Sequence, residues 1–135
     1  YGESREELKK FNTRDGMGLQ LLQEAGIKTG IITSENTKIV ENRAKKLKVD
    51  YLVQGKRDGG KLAAAQDLCA QLNITLNEVA YIGDDVNCKE LLSAVRVKAC
   101  PADSMPSIIE IQGIHLMKKK GGEGCVREFA EMILS

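Results

Sequence analysis

Three kinds of side chain in this sequence stand where chemistry would need them. Val79-Ala80-Tyr81-Ile82-Gly83-Asp84-Asp85 is a short apolar run that stops at a glycine and two adjacent carboxylates. Two hard oxygen donors side by side suit a divalent cation such as Mg2+, whereas capping the helix that follows needs only one acid. Both uses stay open from the spacing alone. Ile31-Ile32-Thr33 ends a second apolar run in a hydroxyl that can hydrogen-bond an anion, and Lys61 opens a helical stretch with an ammonium that can neutralise one. A donor, a fixed positive charge and a cation-binding acid pair together suit a phosphoryl group, because its transfer spreads negative charge over several oxygens.

Other motifs compete and are weaker. Gly55 to Lys61 reads GxxxxGK, most of a phosphate-cradling loop, but Leu62 stands where a metal-holding hydroxyl belongs. Gly16-Met17-Gly18 opens a helix without completing GxGxxG, since Leu21 takes the third glycine position. Gly121-Gly122-Glu123-Gly124 precedes a helix and has two readings, an anion site built from backbone N–H groups or a flexible turn. Cys69, Cys88, Cys100 and Cys125 show no CxxC spacing, which argues for reduced packing cysteines rather than zinc or disulfides. His115, alone in Ile114-His115-Leu116-Met117, reads as a structural strand residue.

The elements that must position these groups alternate. Leu8 to Phe11, Ile27 to Thr33, Tyr51 to Val53, Val79 to Ile82, Val97 to Ala99 and Ile114 to Met117 read as strands. Helices are expected from Gly16 to Ala25 with Asp15 as cap and Gly26 as stop, and from Thr37 to Leu47 with Ile39, Val40, Ala44 and Leu47 inward. Further helices are expected over Lys61 to Leu72, Lys89 to Ala94, Pro106 to Ile111 and Cys125 to Leu134. Strands alternating with helices predict an α/β, Rossmann-like parallel sheet with helices on both faces, so Thr33, Asp84 and Asp85 fall at the carboxyl edge where such sheets bind ligands. The 135 residues form one expected domain, and a net charge of +1 gives no reason to expect nucleic acid or an anionic membrane. No apolar run approaches the ~20 residues of a membrane span, and a cytoplasmic protein is expected.

Taken together, Phe11-Asn12-Thr13-Arg14-Asp15-Gly16, Ile31-Ile32-Thr33, Tyr51-Leu52-Val53-Gln54-Gly55, Lys61, Tyr81-Ile82-Gly83-Asp84-Asp85 and Gly121-Gly122-Glu123-Gly124 followed by Arg127-Glu128-Phe129 give the chain a specific likeness. From about Glu6 to Leu134 it resembles the haloacid dehalogenase superfamily of phosphatases. More narrowly it resembles the capless branch that dephosphorylates 3-deoxy-octulosonate 8-phosphate and acylneuraminate-type 9-phosphates. The resemblance implies a Mg2+-dependent hydrolase acting through an aspartyl-phosphate, with Thr33 and Lys61 holding the phosphoryl group and Asp84, supported by Asp85, holding the metal. It also implies substrate contacts from Arg14, Asp15, Ser34, Glu35 and Gly122, and a homotetramer in which Lys118 to Gly124 of one subunit reaches a neighbour's site. Glu35 stands where octulosonate enzymes tend to carry arginine, which tilts the expected substrate towards a nine-carbon acid. Two features depart from the family. Its Asp-x-Asp nucleophile strand is not found in the sequence, and Cys88 stands four residues after Asp84 where a further Asp is usual. A non-catalytic assembly domain, of the kind fused to acylneuraminate cytidylyltransferases, is therefore the alternative expectation.

Overall fold

The computed structural model describes residues 13–56, 60–84 and 86–135, with side chains from residue 16 onward. The apolar runs become parallel strands, each too short to stand without a helical crossover. Strand β1 (Gly30–Ile32) pairs with β2 (Tyr51–Val53) in the register Gly30 to Tyr51, and α2 (Lys38–Leu47) makes the crossover. After α3 (Gly60–Leu72), β3 (Ala80–Ile82) pairs with β4 (Val97–Cys100), and β4 with β5 (His115–Leu116). Between β3 and β4 lie a 3-10 turn, Val86–Cys88, and α4 (Lys89–Ala94). The short α5 (Pro106–Ile109) precedes β5, while α1 (Thr13–Glu24) and α6 (Cys125–Leu134) pack on one another.

Alternation along the strands puts helices on both faces. Tyr81 and Cys100 join Cys88, Leu92 and Ile108 in one cluster, whereas their neighbours Ile82 and Ala99 join Met117, Cys125 and Phe129 in another. Successive strand residues point to opposite sides, so α4 and α5 cover one face and α6 the other. A third cluster holds Ala65, Leu91 and Val95 against Ile32, Leu62, Val79 and Tyr81, and it bridges the two sheets through α3 and α4. Burying a residue such as Leu91, 1% exposed, contributes about 2 kcal/mol. Among the described residues β1 and β3 make no ladder with each other, and the first residue of each, Gly30 and Ala80, is exposed. The expected sheet is thus parallel throughout and divided into two- and three-stranded parts.

Local chemistry explains most boundaries. Thr37 caps α2 by accepting from the Val40 N–H at 3.2 Å, and Lys48 closes the helix in the left-handed region at φ 56°. Val40 and Ala44 face inward as expected, but Ile39 lies one position off that stripe and is 40% exposed. Helix α1 already runs at Thr13, which places Asp15 in its first turn rather than at its cap. Gly26 follows α1 at φ 83°, as its reading as a helix stop requires. The strand expected over Ile114 to Met117 is only His115–Leu116, both exposed, so His115 is the strand residue expected of it and stands at the surface. The strand expected over Leu8 to Phe11 lies outside the described residues. None of the described helices is long and apolar enough to cross a membrane.

Candidate active site

The site begins at the loops after β1 and β2, which are tied to each other. Lys56 N–H donates to the Thr33 carbonyl at 3.0 Å, Gly55 N–H to the Glu35 carbonyl at 3.0 Å, and Thr37 N–H to the Gln54 side chain at 3.0 Å. Thr33 and Ser34 are consequently buried, at 2% and 4% exposure, and the Thr33 hydroxyl oxygen is fixed by accepting from the Glu35 N–H at 3.0 Å. Sequence placed Thr33 at a strand end, and the structure puts it one residue beyond β1, still on the ladder through its N–H to the Val53 carbonyl.

Lys61 enters from the first turn of α3 and is 1% exposed. Its Nζ donates to Cys88 Sγ at 3.4 Å, and no described carboxylate stands within ion-pair distance of it. A buried ammonium normally has an anionic partner, because leaving water costs it several kcal/mol. Tyr81 Oη donates to the same sulfur, also at 3.4 Å. On the sulfur's other side, a Cβ added to Gly83 would stand 2.8 Å from both Cβ and Sγ of Cys88, so only glycine fits there. The residue after that glycine is Asp84.

Asp84 is half-buried just past β3, and its carbonyl accepts from the Met105 N–H at 3.3 Å. Asp103 accepts from the Gly121 N–H at 3.0 Å, and a Cβ on Gly121 would lie 3.9 Å from Asp84 Oδ2 and 3.8 Å from Asp103 Oδ1. The Lys118 to Gly124 loop is therefore held beside Asp84 of its own chain. Glu128 fixes the start of that loop by accepting from the N–H groups of Lys118 and Lys119 at 2.9 to 3.0 Å. The Asp103 contact commits one N–H of the glycine turn, that of Gly121, to a carboxylate of its own chain. Burial pushes the nearby Cys100 thiol up, the Asp84 charge adds to that, and a hydrogen bond with Ser104 opposes it.

The structure thus brings Thr33, Ser34, Glu35, Lys61 and Asp84 to the carboxyl side of the strands, with Gly122 (φ 76°) next to Gly121. Asp85 and the side chains of Arg14 and Asp15 lie outside the described part. Sequence reasoning took Cys88 for a loss at the metal site and missed it as the partner of Lys61. It also missed Asp103, for which no spacing signal exists. Asp84 offers hard oxygens at an edge open to ligand, a donor set that fits Mg2+, which needs only one or two protein carboxylates and completes its shell with water and phosphate.

A sequence profile described as haloacid dehalogenase-like hydrolase matches residues 13–94. The 3-deoxy-D-manno-octulosonate 8-phosphate phosphatase KdsC of Yersinia pestis is 38% identical over 133 residues, which are 98% of this chain and 70% of that protein. Among solved structures, a probable YrbI family phosphatase from Pseudomonas syringae superposes with TM-score 0.87 at 38% identity, over 92% of this chain and 69% of that one. The octulosonate 8-phosphate phosphatase of Moraxella catarrhalis, solved with magnesium ion, phosphate ion and KDO, gives TM-score 0.85 at 34% identity, over 92% and 70%. With this site on this parallel fold, the chain belongs to the haloacid dehalogenase-like hydrolase family, and its relatives there are phosphatases.

Proposed function

We propose that this chain is the core of a Mg2+-dependent phosphatase acting on an eight- or nine-carbon sugar acid phosphate. The observation that carries this reading is Lys61: an ammonium 1% exposed, facing a sulfur and, among the described residues, no carboxylate, at the strand edge shared with Thr33 and Asp84. An anionic ligand would supply the partner charge that the described residues do not. A phosphoryl group fits because Thr33 and Ser34 sit on a tied loop of fixed geometry and Lys61 supplies the positive charge. Mg2+ held by Asp84 with Asp85 would neutralise charge building on the phosphoryl oxygens.

Among the described residues β1 pairs only with β2 and β3 only with β4, and both β1 and β3 adjoin the cluster under α3 and α4. A strand ending in Asp-x-Asp and lying between them would bring a carboxylate nucleophile to the phosphorus, with an aspartyl-phosphate as the intermediate. The curated relatives are octulosonate 8-phosphate phosphatases, which favours the eight-carbon acid. Glu35, which stands where the octulosonate enzymes tend to carry arginine, favours the nine-carbon one. Val86 and Met105 flank Asp84 at 61% and 48% exposure, and this apolar rim supports a homotetramer in which another subunit covers the site.

The test is a fusion carrying an Asp-x-Asp strand ahead of Tyr1, assayed for phosphate release from 3-deoxy-octulosonate 8-phosphate and a nine-carbon 9-phosphate with and without Mg2+. Turnover that falls roughly 100-fold in Lys61→Ala is the expected result. A folded fusion that releases no phosphate from either would overturn the reading in favour of a non-catalytic assembly domain.

A further inference from the structure

The contact between Lys61 and Cys88 is not used by the chemistry above. Cys88 is 0% exposed and its sulfur accepts two hydrogen bonds, from Lys61 Nζ and Tyr81 Oη, both at 3.4 Å. Among the described residues that sulfur is the only hydrogen-bond partner of the Lys61 ammonium. Reactive thiols occur in electropositive surroundings, and Cys88 has an ammonium and a phenol hydroxyl directed at it.

We propose that Cys88 and Lys61 form a peroxide-dependent covalent pair that closes the phosphoryl site. A peroxide such as H2O2 oxidises the Cys88 thiol to sulfenic acid, with one peroxide oxygen going to sulfur and the other leaving as water. The Lys61 ammonium gives up a proton, and its nitrogen lone pair attacks the sulfur as the S–O bond breaks. The departing oxygen takes a proton and leaves as a second water, and an S–N bond remains, formally a sulfenamide. The sum is one thiol, one ammonium and one H2O2 giving one S–N link, two waters and one H+. Packing favours this end point over a retained oxygen. The sulfur sits so close to Gly83 that a Cβ there would lie only 2.8 Å from it, Tyr81 occupies another side, and condensation expels the oxygen that would otherwise need room. Thiol reduction of the S–N bond restores both side chains.

The link rests on two adjacent side chains and only its closing of the phosphoryl site rests on the phosphatase reading, so its test reads mass. The 135-residue chain is treated with a small excess of H2O2, its remaining thiols are alkylated, and intact mass and peptide maps are recorded. The expected product is about 2 Da lighter than the untreated chain before alkylation, with the Lys61 peptide joined to the Cys88 peptide and released by dithiothreitol. Unfolding in urea before peroxide should abolish the link, a comparison that needs no variant. Lys61→Arg should trade the link for sulfinic or sulfonic acid at Cys88. Cys88 that stays alkylatable, that enters a disulfide, or that is oxidised while Lys61 remains unmodified in the native chain would each overturn it.

Discussion

Replacing Lys61 by methionine should make the protein more stable and unable to bind its anion. Methionine keeps an unbranched stem of similar length, so it can fill the space that Lys61 occupies between α3 and Cys88 while removing an ammonium that is 1% exposed. A buried donor group lacking a full set of partners costs about 1–3 kcal/mol, more when charged, and a near-isosteric swap in a packed site costs under about 1.5 kcal/mol. The difference leaves Lys61→Met more stable by roughly 1–2 kcal/mol, worth about 3–8 °C in Tm for a chain of this size. Phosphate should invert that order. At a concentration 100 times its Kd it would raise the stability of the unaltered chain by about 2.7 kcal/mol and leave the variant where it was. Urea titrations of both proteins, with and without inorganic phosphate and Mg2+, measure all four terms. A variant that is less stable in plain buffer would refute the reasoning, because the hydrogen bond to sulfur would then satisfy the ammonium without any ligand.

Two further outcomes follow from packing and burial. Gly18→Ala should destabilise the fold by about 1–2 kcal/mol although alanine is the better helix former by about 1 kcal/mol, because its Cβ would stand 2.7 Å from Arg127 Cα and 2.9 Å from the Val126 carbonyl, both backbone that must move; a urea midpoint that rises would show that α6 yields freely. The raised thiols of Cys69 and Cys100 make the folded chain hold protons that the unfolded chain loses above its ordinary value of 9.0, so their contribution to stability is complete below that pH and declines as pH rises past it. Comparing the fall in urea midpoint between pH 8 and 10 with that of a Cys69→Ala/Cys100→Ala double variant checks this, and equal falls would refute it.

Periodicity carried the architecture because the strands are short apolar runs and α2 has its cap, its inward stripe and its stop between Thr37 and Lys48. Thr33, Lys61 and Asp84 were legible for the same reason: each terminates or opens a run, and the topology of a parallel sheet sends those points to one edge. What eluded the sequence depends on contacts across the chain. Nothing near Cys88 says that Lys61, twenty-seven positions earlier, will rest on its sulfur. Nothing near Asp103 says that it will hold Gly121, eighteen positions later. Ile39 was misjudged because an apolar residue beside a buried stripe looks buried until the neighbouring element is in place.

The seam where Gly18 meets Arg127 also bears on the order of assembly. It joins the first described helix to the last, and Met17 accepts from Arg127 Nη1 across 110 positions of sequence. Bringing such distant segments together costs roughly 4 kcal/mol in chain entropy, against well under that for the crossovers β1-α2-β2 and β3-α4-β4. Those local units can therefore be in place at the folding barrier, while the α1–α6 seam forms on the downhill side of it. Disturbing the seam should shorten the lifetime of the native state and leave the rate of reaching it almost unchanged.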